Sequence, residues 1–137
     1  MKNSIGKWNV GIGLLVMAGF MVYGFYLIYM RDFNPNKEAW IAASNMGAHF
    51  ESKLAHVHGN LFSIINIVFG YLLLTLPIAP SYAKRVSRFA LAGLLMPLGI
   101  LAEVHLGMPY YMVIVGAISI VIATVLLAIA IFNMQKV

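Results

Sequence analysis

The chain has 137 residues, of which 62% are hydrophobic and only 9% are charged, and its mean hydropathy is +0.90. Because a soluble domain carries about 25% charged residues, this composition excludes a soluble globular domain, a disordered chain and, despite the net charge of +5, a conventional nucleic-acid-binding protein. The absence of cysteine excludes disulfides, thiolate metal sites and cysteine nucleophiles, so a membrane protein remains.

Four apolar stretches are each long enough to cross a bilayer core, which needs roughly 20 residues in a helix. We predict spans over about residues 10–30, 54–78, 89–106 and 111–132. The spans are expected to be helical because backbone groups in lipid must be paired within the segment. The sequence therefore predicts one all-α domain over residues 1–137, an antiparallel four-helix bundle integral to the membrane.

The connections between the spans differ in length. The longest is the loop over residues 31–53, in which residues 37–50 are predicted to form a short interfacial helix with Trp40 at headgroup level. Residues 77–88 are predicted to form a short turn, because prolines and basic side chains follow one another there. Residues 107–109 are predicted to be a tight link between the last two spans.

Charge is distributed unequally between the two ends of the predicted bundle. The end that carries both termini has only basic side chains, namely Lys2, Lys7, Lys84, Arg85, Arg88 and Lys136. The other end mixes both signs, with Arg31, Asp32, Lys37, Glu38, Glu51, Lys53 and Glu103. Because basic loops remain in the cytoplasm, the pattern predicts cytoplasmic termini, an outer loop over residues 31–53 and a bacterial-type inner membrane.

Ionisable side chains also collect at the predicted outer end. They are all four histidines and two carboxylates, namely His49, His56, His58, His105, Glu51 and Glu103. Antiparallel packing brings the beginning of the second span beside the end of the third, where most of these residues lie. Ionisable groups at membrane depth are costly, so they are functional candidates.

The second span carries a stripe of polar and small residues at steps of three or four. Its members are His49, Ser52, His56, Gly59, Asn60, Ser63, Asn66 and Gly70. Such a stripe must face protein, a cofactor or water, because lipid would leave its polar groups unpaired. His58 lies about 200° around the helix from His56, so the two histidines are not expected to chelate one ion together.

His56 is the candidate ligand for a haem iron. Neutral imidazole suits iron, and the neighbouring Gly59 and Asn60 are expected to leave room for a macrocycle. The spacing equally suits a histidine that is hydrogen-bonded across the bundle, and both interpretations stay open. Glu103 is a candidate proton donor or acceptor, a partner for His56 or His58, or a carboxylate in water at the edge of the bundle.

Two other functions are compatible with these residues. One is a transition-metal site at the outer face, built from His49, Glu51, His58 and Glu103, although no compact ligand motif is present. The other is a non-catalytic subunit of a larger respiratory or transport complex, in which the polar stripe packs against a partner. Small residues in the fourth span, Gly116, Ser119 and Ala123, predict a packing surface for oligomerisation.

The segment that opens the second span resembles a known group of membrane proteins. Trp40, the run Ala55-His56-Val57-His58-Gly59 and the closing Leu76-Pro77 are similar to the second helix of styrene oxide isomerases and hydroxylaminobenzene mutases. In that group an Ala-His pair begins a helix that continues with a glycine and then Asn-Gly. This chain has Phe62 and Ser63 at the Asn-Gly positions.

The resemblance implies a small four-span protein that is trimeric and carries haem b, with His56 as the iron ligand and with Gly59 and His58 beside the haem. The expected activity is that of an isomerase or a redox enzyme on a small apolar substrate that enters from the membrane. In such an enzyme Asn60 is expected to orient the substrate and Glu103 to move protons.

Overall fold

The computed structural model describes residues 4–134, and these residues form six α-helices and no strand. The helices are α1 (Gly6–Asp32), α2 (Lys37–Ala42), α3 (Gly47–Thr75), α4 (Pro80–Gly93), α5 (Leu95–Leu106) and α6 (Tyr111–Phe132). Four helical units are long and apolar enough to cross a membrane, and α4 together with α5 is one of them. The predicted all-α architecture with four helices that could span a membrane is therefore confirmed for the described residues.

The spans lie side by side in chain order, and consecutive spans run antiparallel. Gly6 and Gly24 of α1 lie against Gly70 and His56 of α3, so residue numbers fall along α3 as they rise along α1. The span α4–α5 packs against α3, and α6 packs against both α4 and α5. The bundle has a terminal end, with the beginning of α1, the linker 76–79 and the end of α6, and a loop end, with residues 33–46 and 107–110.

The helix boundaries differ most from the predicted ones at the beginnings of α3 and α4, where the first turns of the helix contain polar residues. The expected interfacial helix over residues 37–50 is wrong, because α2 ends at Ala42 and α3 begins at Gly47. Gly47 has a φ of +60°, a backbone conformation that side chains with a Cβ disfavour, and it turns the chain into α3. α3 thus includes His49 and the turn that follows it.

The predicted turn over residues 77–88 is also wrong. Pro80 begins α4, since a proline at the first helical position lacks only an N–H that has no partner there. One face of α4 is buried through Ala83, Val86 and Ala90. The basic side chains occupy its exposed face, as Lys84, Arg85 and Arg88. α4 is thus an amphipathic beginning of the third span, which hydropathy alone does not detect.

The third span is broken between α4 and α5. Leu94 lies between the two helices, and Pro97 has no N–H to bond to the carbonyl of Gly93, four residues earlier. The N–H of Leu94 bonds to the carbonyl of Leu91 instead. In a continuous helix this N–H would bond to the carbonyl of Ala90. Pro97 and the neighbouring Gly93 and Gly99 are residue types at which helices are commonly interrupted.

Small residues hold α6 against the preceding span. A Cβ on Gly116 would lie 2.1 Å from the backbone nitrogen of Met96, and Ser119 and Ala123 are buried. The stripe formed by Gly116, Ser119 and Ala123 is therefore covered by the same chain. Its predicted use for oligomerisation is wrong, because intramolecular packing already occupies it.

Charge separates the two ends as the sequence predicts, within the described residues. Lys7 joins the three basic residues of α4 at the terminal end, and all are exposed. Lys2 and Lys136, which were counted with them, lie outside the described residues. At the loop end the Arg31 guanidinium forms an exposed ion pair with Asp32, at 2.8 Å.

Candidate functional site

A buried polar network joins three helices in the half of the bundle near the terminal end. Asn9 of α1 donates from Nδ2 to Asn66 Oδ1 at 3.0 Å and to the carbonyl of Ser87 at 3.2 Å, and it accepts from Ser87 Oγ at 2.5 Å. Asn66 Nδ2 donates to the carbonyls of Phe62 and Ala90 at 3.0 and 2.8 Å. Both amides are completely buried, and every amide hydrogen has an acceptor.

This network explains much of the polar stripe on α3. Ser63 is also buried, and its hydroxyl donates to the carbonyl of Gly59 at 2.7 Å. Gly70 lies against the backbone of Gly6. The stripe therefore faces α1 and α4 of its own chain. The hypothesis of a subunit whose stripe packs against a partner loses the observation on which it rested.

His56 lies between α3 and α1 in the half of the bundle near the loop end. Its Nδ1 is 2.8 Å from the carbonyl oxygen of Phe20. Because a carbonyl oxygen only accepts, Nδ1 carries the proton, and in the neutral ring the lone pair is on Nε2. The ring packs on Gly24, where a Cβ would lie 2.9 Å from Cε1. His56 is therefore hydrogen-bonded across the bundle through Nδ1, and its Nε2 can still bind a metal ion. The two interpretations of this residue are compatible.

The imidazole of His56 borders a hollow on the outward surface of α1. We call it the His56 hollow, and it has a volume of about 400 Å³. Its other walls are apolar or small, namely Met21, Gly24, Phe25, Leu27 and Ile28. The hollow is open on the side away from the bundle, so one copy of the chain covers only one side of any group bound there.

The residues expected to make room for a macrocycle do not do so. The ring of Phe20 occupies the space beside Gly59, where a Cβ would lie 2.3 Å from its carbon atoms. Asn60 donates from Nδ2 to the carbonyl of His56 at 2.9 Å, a bond within one helical turn. The expectation of interior space at Gly59 is wrong, since a side chain from α1 fills it.

His58 and His49 have separate local partners. His58 Nδ1 lies 2.9 Å from the carbonyl of Leu54, and its ring meets the edge of Phe62. His49 stacks on Trp40 with ring centroids 4.3 Å apart, and its Nδ1 lies 2.5 Å from the Trp40 carbonyl. The Trp40–His49 stack fastens α2 to the first turn of α3.

Glu103 is another of the residues predicted to form an outer-face metal site. Its side chain is exposed, and its carboxylate forms no hydrogen bond or ion pair with residues 4–134. In that same part of the chain, no three His, Asp or Glu side chains are grouped closely enough to hold a metal ion. The predicted site of His49, Glu51, His58 and Glu103 is therefore wrong. These residues share one end of the bundle but face different neighbours.

A second polar group forms where α1 meets α5, and the sequence did not single it out. The hydroxyl of Tyr23 lies 2.9 Å from Nε2 of His105. Tyr23 stacks on Tyr26 with centroids 5.4 Å apart, and both rings meet the edge of His105. The signal in the sequence is the i, i+3 spacing of the two tyrosines, which places them on one face of α1.

Ser52 adds a buried hydroxyl to this group. Its side chain is fully buried and lies beside the Tyr23 hydroxyl, yet its Oγ forms no hydrogen bond of good geometry with the described residues. Most buried polar side chains have a partner. Ser52 therefore retains both donor and acceptor capacity next to Tyr23.

Two members of this group, Tyr23 and Tyr26, line an apolar groove between α1 and α5, which we call the α1–α5 groove. Its volume is about 420 Å³. The lining residues are Val16, Gly19, Phe20, Val22, Tyr23, Tyr26, Leu98 and Leu101. At 100° per residue, the α1 residues of this groove lie on the opposite flank from those of the His56 hollow.

Two candidate sites thus flank α1, and Phe20 contributes to both. Its carbonyl orients His56, and its ring lines the α1–α5 groove. Comparisons with protein-family models, curated proteins and solved structures found no match for this chain. The geometry of the two sites is therefore the basis for assigning a function.

Proposed function

We propose that the chain is a membrane-embedded haem b-binding protein in which His56 Nε2 is an axial ligand of the iron. The observation that carries this proposal is the bond between His56 Nδ1 and the Phe20 carbonyl. A second hydrogen bond of this kind is what orients metal-binding histidines, because it sets the tautomer and raises the basicity of the other nitrogen. The resemblance of the Ala55–Gly59 segment to haem-binding isomerases supports the same residue.

The surroundings of His56 fit a haem at an interface between copies of the chain. The ligand nitrogen borders an apolar hollow on the outward surface, where Met21 and Phe25 offer side chains for a porphyrin face. The interior next to Gly59 is filled. A second copy would cover the exposed face of the haem, so the proposal includes a homo-oligomer, with a trimer favoured by the resemblance.

A bound haem would supply a Lewis-acid or redox centre for a small apolar substrate reaching it through the membrane. The proposed activity is that of an isomerase or of a redox enzyme. Asn60 donates from Nδ2 to the His56 carbonyl, and its Oδ1 accepts no hydrogen bond from residues 4–134, so Asn60 is proposed to orient the substrate. Glu103 has no contact with His56, and the proposal therefore no longer gives it proton transfer.

Replacing His56 with alanine is expected to remove at least nine-tenths of the bound haem, because no other side chain that lines the His56 hollow carries a nitrogen. The protein is expressed with added haem and purified, and its Soret absorbance is measured per mole of protein. His58→Ala and His105→Ala are the matched controls and are expected to keep the wild-type absorbance. A wild-type protein without a Soret band, or a His56→Ala protein that keeps it, contradicts the proposal.

The protein is further proposed to lie in a bacterial-type inner membrane with its terminal end in the cytoplasm. The basis is the exposed cluster of Lys84, Arg85 and Arg88, together with Lys7, at that end. Basic side chains resist translocation, so this cluster determines orientation.

Because the natural chain has no cysteine, single cysteines report orientation directly. Ser81→Cys lies at the exposed beginning of α4, and Met108→Cys lies in the loop between α5 and α6. In intact bacteria, an impermeant maleimide is expected to label Met108→Cys and to label Ser81→Cys only after the membrane is opened. The reverse pattern contradicts the proposed orientation.

A further inference from the structure

We infer that the α1–α5 groove is a binding site for a small amphiphile, an apolar molecule with a single hydroxyl or carbonyl oxygen that hydrogen-bonds to Tyr23 at the Tyr23–His105 pair. This site lies on the other flank of α1 from the His56 hollow. Binding in the α1–α5 groove requires no haem, so this inference can be tested independently of the proposed haem binding at His56.

The walls of the groove define the apolar part of the ligand. Aliphatic and aromatic side chains make up nearly all of its lining, and no charged side chain contributes. Its volume of about 420 Å³ lies within the range of small-molecule sites, roughly 300–1,000 Å³. A charged ligand would lose its hydration here without gaining a partner, so the ligand is neutral.

The Tyr23–His105 pair defines the polar part of the ligand. In one arrangement the phenol donates to Nε2, and its oxygen can still accept a hydrogen bond from a ligand hydroxyl. With the other imidazole tautomer Nε2–H donates to the phenol oxygen, and the phenol is free to donate to a ligand carbonyl. The pair therefore serves either kind of oxygen without a change in net charge.

Ser52 provides a second and independent observation. A fully buried hydroxyl without a hydrogen bond of good geometry is costly, and this one lies beside the Tyr23 hydroxyl. Ser52 does not itself line the groove, but Tyr23 does, so the Tyr23 hydroxyl brings the hydrogen-bonding capacity of the two residues to an otherwise apolar lining. That combination is typical of sites in which a few polar groups orient an apolar ligand.

The direction of the groove determines how the ligand lies. Val16 and Tyr26 are ten residues apart on α1, so the groove extends about 15 Å along the helix axis. Its polar end is near the loop end, because His105 lies in the last turn of α5. A medium-chain alcohol or ketone would therefore place its oxygen towards the membrane surface and its chain towards the middle of the bilayer.

Photolabelling of the purified full chain in lipid nanodiscs tests this site, with a diazirine-bearing octanol as the probe. The label is expected on residues 16–26 and 98–105, mapped by mass spectrometry. Unlabelled 1-octanol is expected to compete at about a fivefold lower concentration than octane, since only the alcohol gains a hydrogen bond. Tyr23→Phe is expected to abolish this difference, whereas Tyr29→Phe, outside the groove, retains it.

Leu98→Trp provides a second variant, since a larger side chain would fill the groove without removing a polar group. It is expected to reduce labelling at least tenfold while circular dichroism shows the wild-type helix content. Equal competition by octane and 1-octanol shows that the groove takes any acyl chain and overturns the inference. Labelling outside the two segments, or undiminished labelling of a folded Leu98→Trp protein, also overturns it.

Discussion

Replacing Asn66 with leucine is expected to lower the free energy of unfolding by about 2–4 kcal/mol, one of the two largest effects expected in this chain. The substitution roughly keeps side-chain volume but removes three hydrogen bonds, to Asn9 and to the carbonyls of Phe62 and Ala90. The bond to Ala90 has particular weight because the N–H of Leu94, which would bond to that carbonyl in a continuous helix, bonds to Leu91 instead. Asn66 therefore stabilises the kink in the neighbouring span.

Asn60→Leu is the matched control for Asn66→Leu. It is the same substitution on the same helix, but it removes a single bond within one turn and is expected to cost less than about 1 kcal/mol. Both proteins are purified without added haem, and unfolding in mixed detergent micelles with increasing SDS is followed by circular dichroism. Equal losses of stability in the two variants would show that the buried network does not stabilise the bundle.

Replacing Gly116 with alanine is expected to cost about 3 kcal/mol, because the new methyl group overpacks a closed contact. Its Cβ would lie 2.1 Å from the Met96 nitrogen and 2.7 Å from the Met96 Cα. Both are backbone atoms, so no change of rotamer relieves the clash, and α6 must move away from α5. Unfolding by SDS again provides the measurement.

Gly11→Ala is the control for Gly116→Ala, because a Cβ on Gly11 has no neighbour within 4 Å. Its stability is expected to equal that of the wild type or to exceed it slightly, since alanine restricts the unfolded chain. If Gly116→Ala left the stability of the monomer unchanged and abolished only its association, Gly116 would belong to an interface between copies. The intramolecular packing described for α6 would then be wrong.

Phe20 links the two candidate sites on α1. Its carbonyl accepts from His56, and its ring both fills the space beside Gly59 and lines the α1–α5 groove. A ligand in the α1–α5 groove that moves the Phe20 ring would therefore act on the residue whose carbonyl orients His56, the proposed iron ligand. The two sites are distinct in chemistry, yet they share one structural element.

The number and class of the helices could be predicted because hydropathy is a local property. A run of about 20 apolar residues is sufficient for a membrane helix whatever its neighbours are. The same reasoning placed 111–132 correctly, since α6 is apolar throughout. It failed for α4, because one face of this helix is basic and the average over both faces is not apolar.

The candidate sites could be predicted only in part. The spacing of the polar residues in the second span placed His56 on a face that meets protein. The hydrogen-bond partner of each polar side chain could not be predicted, because these partners lie on other helices. Tyr23 and His105 are 82 positions apart in the chain, and no periodicity within either helix relates them.

The sequence alone therefore determined four apolar helices, an unequal distribution of charge and a set of polar residues at one end. Each of these follows from composition within a single segment. The tertiary structure decided that Phe20 fills the space beside Gly59, that Asn66 bonds to a broken neighbour, and that Tyr23 meets His105. These contacts depend on the rotation of each helix about its axis and on the angle between neighbours, which the packing of all the helices sets together.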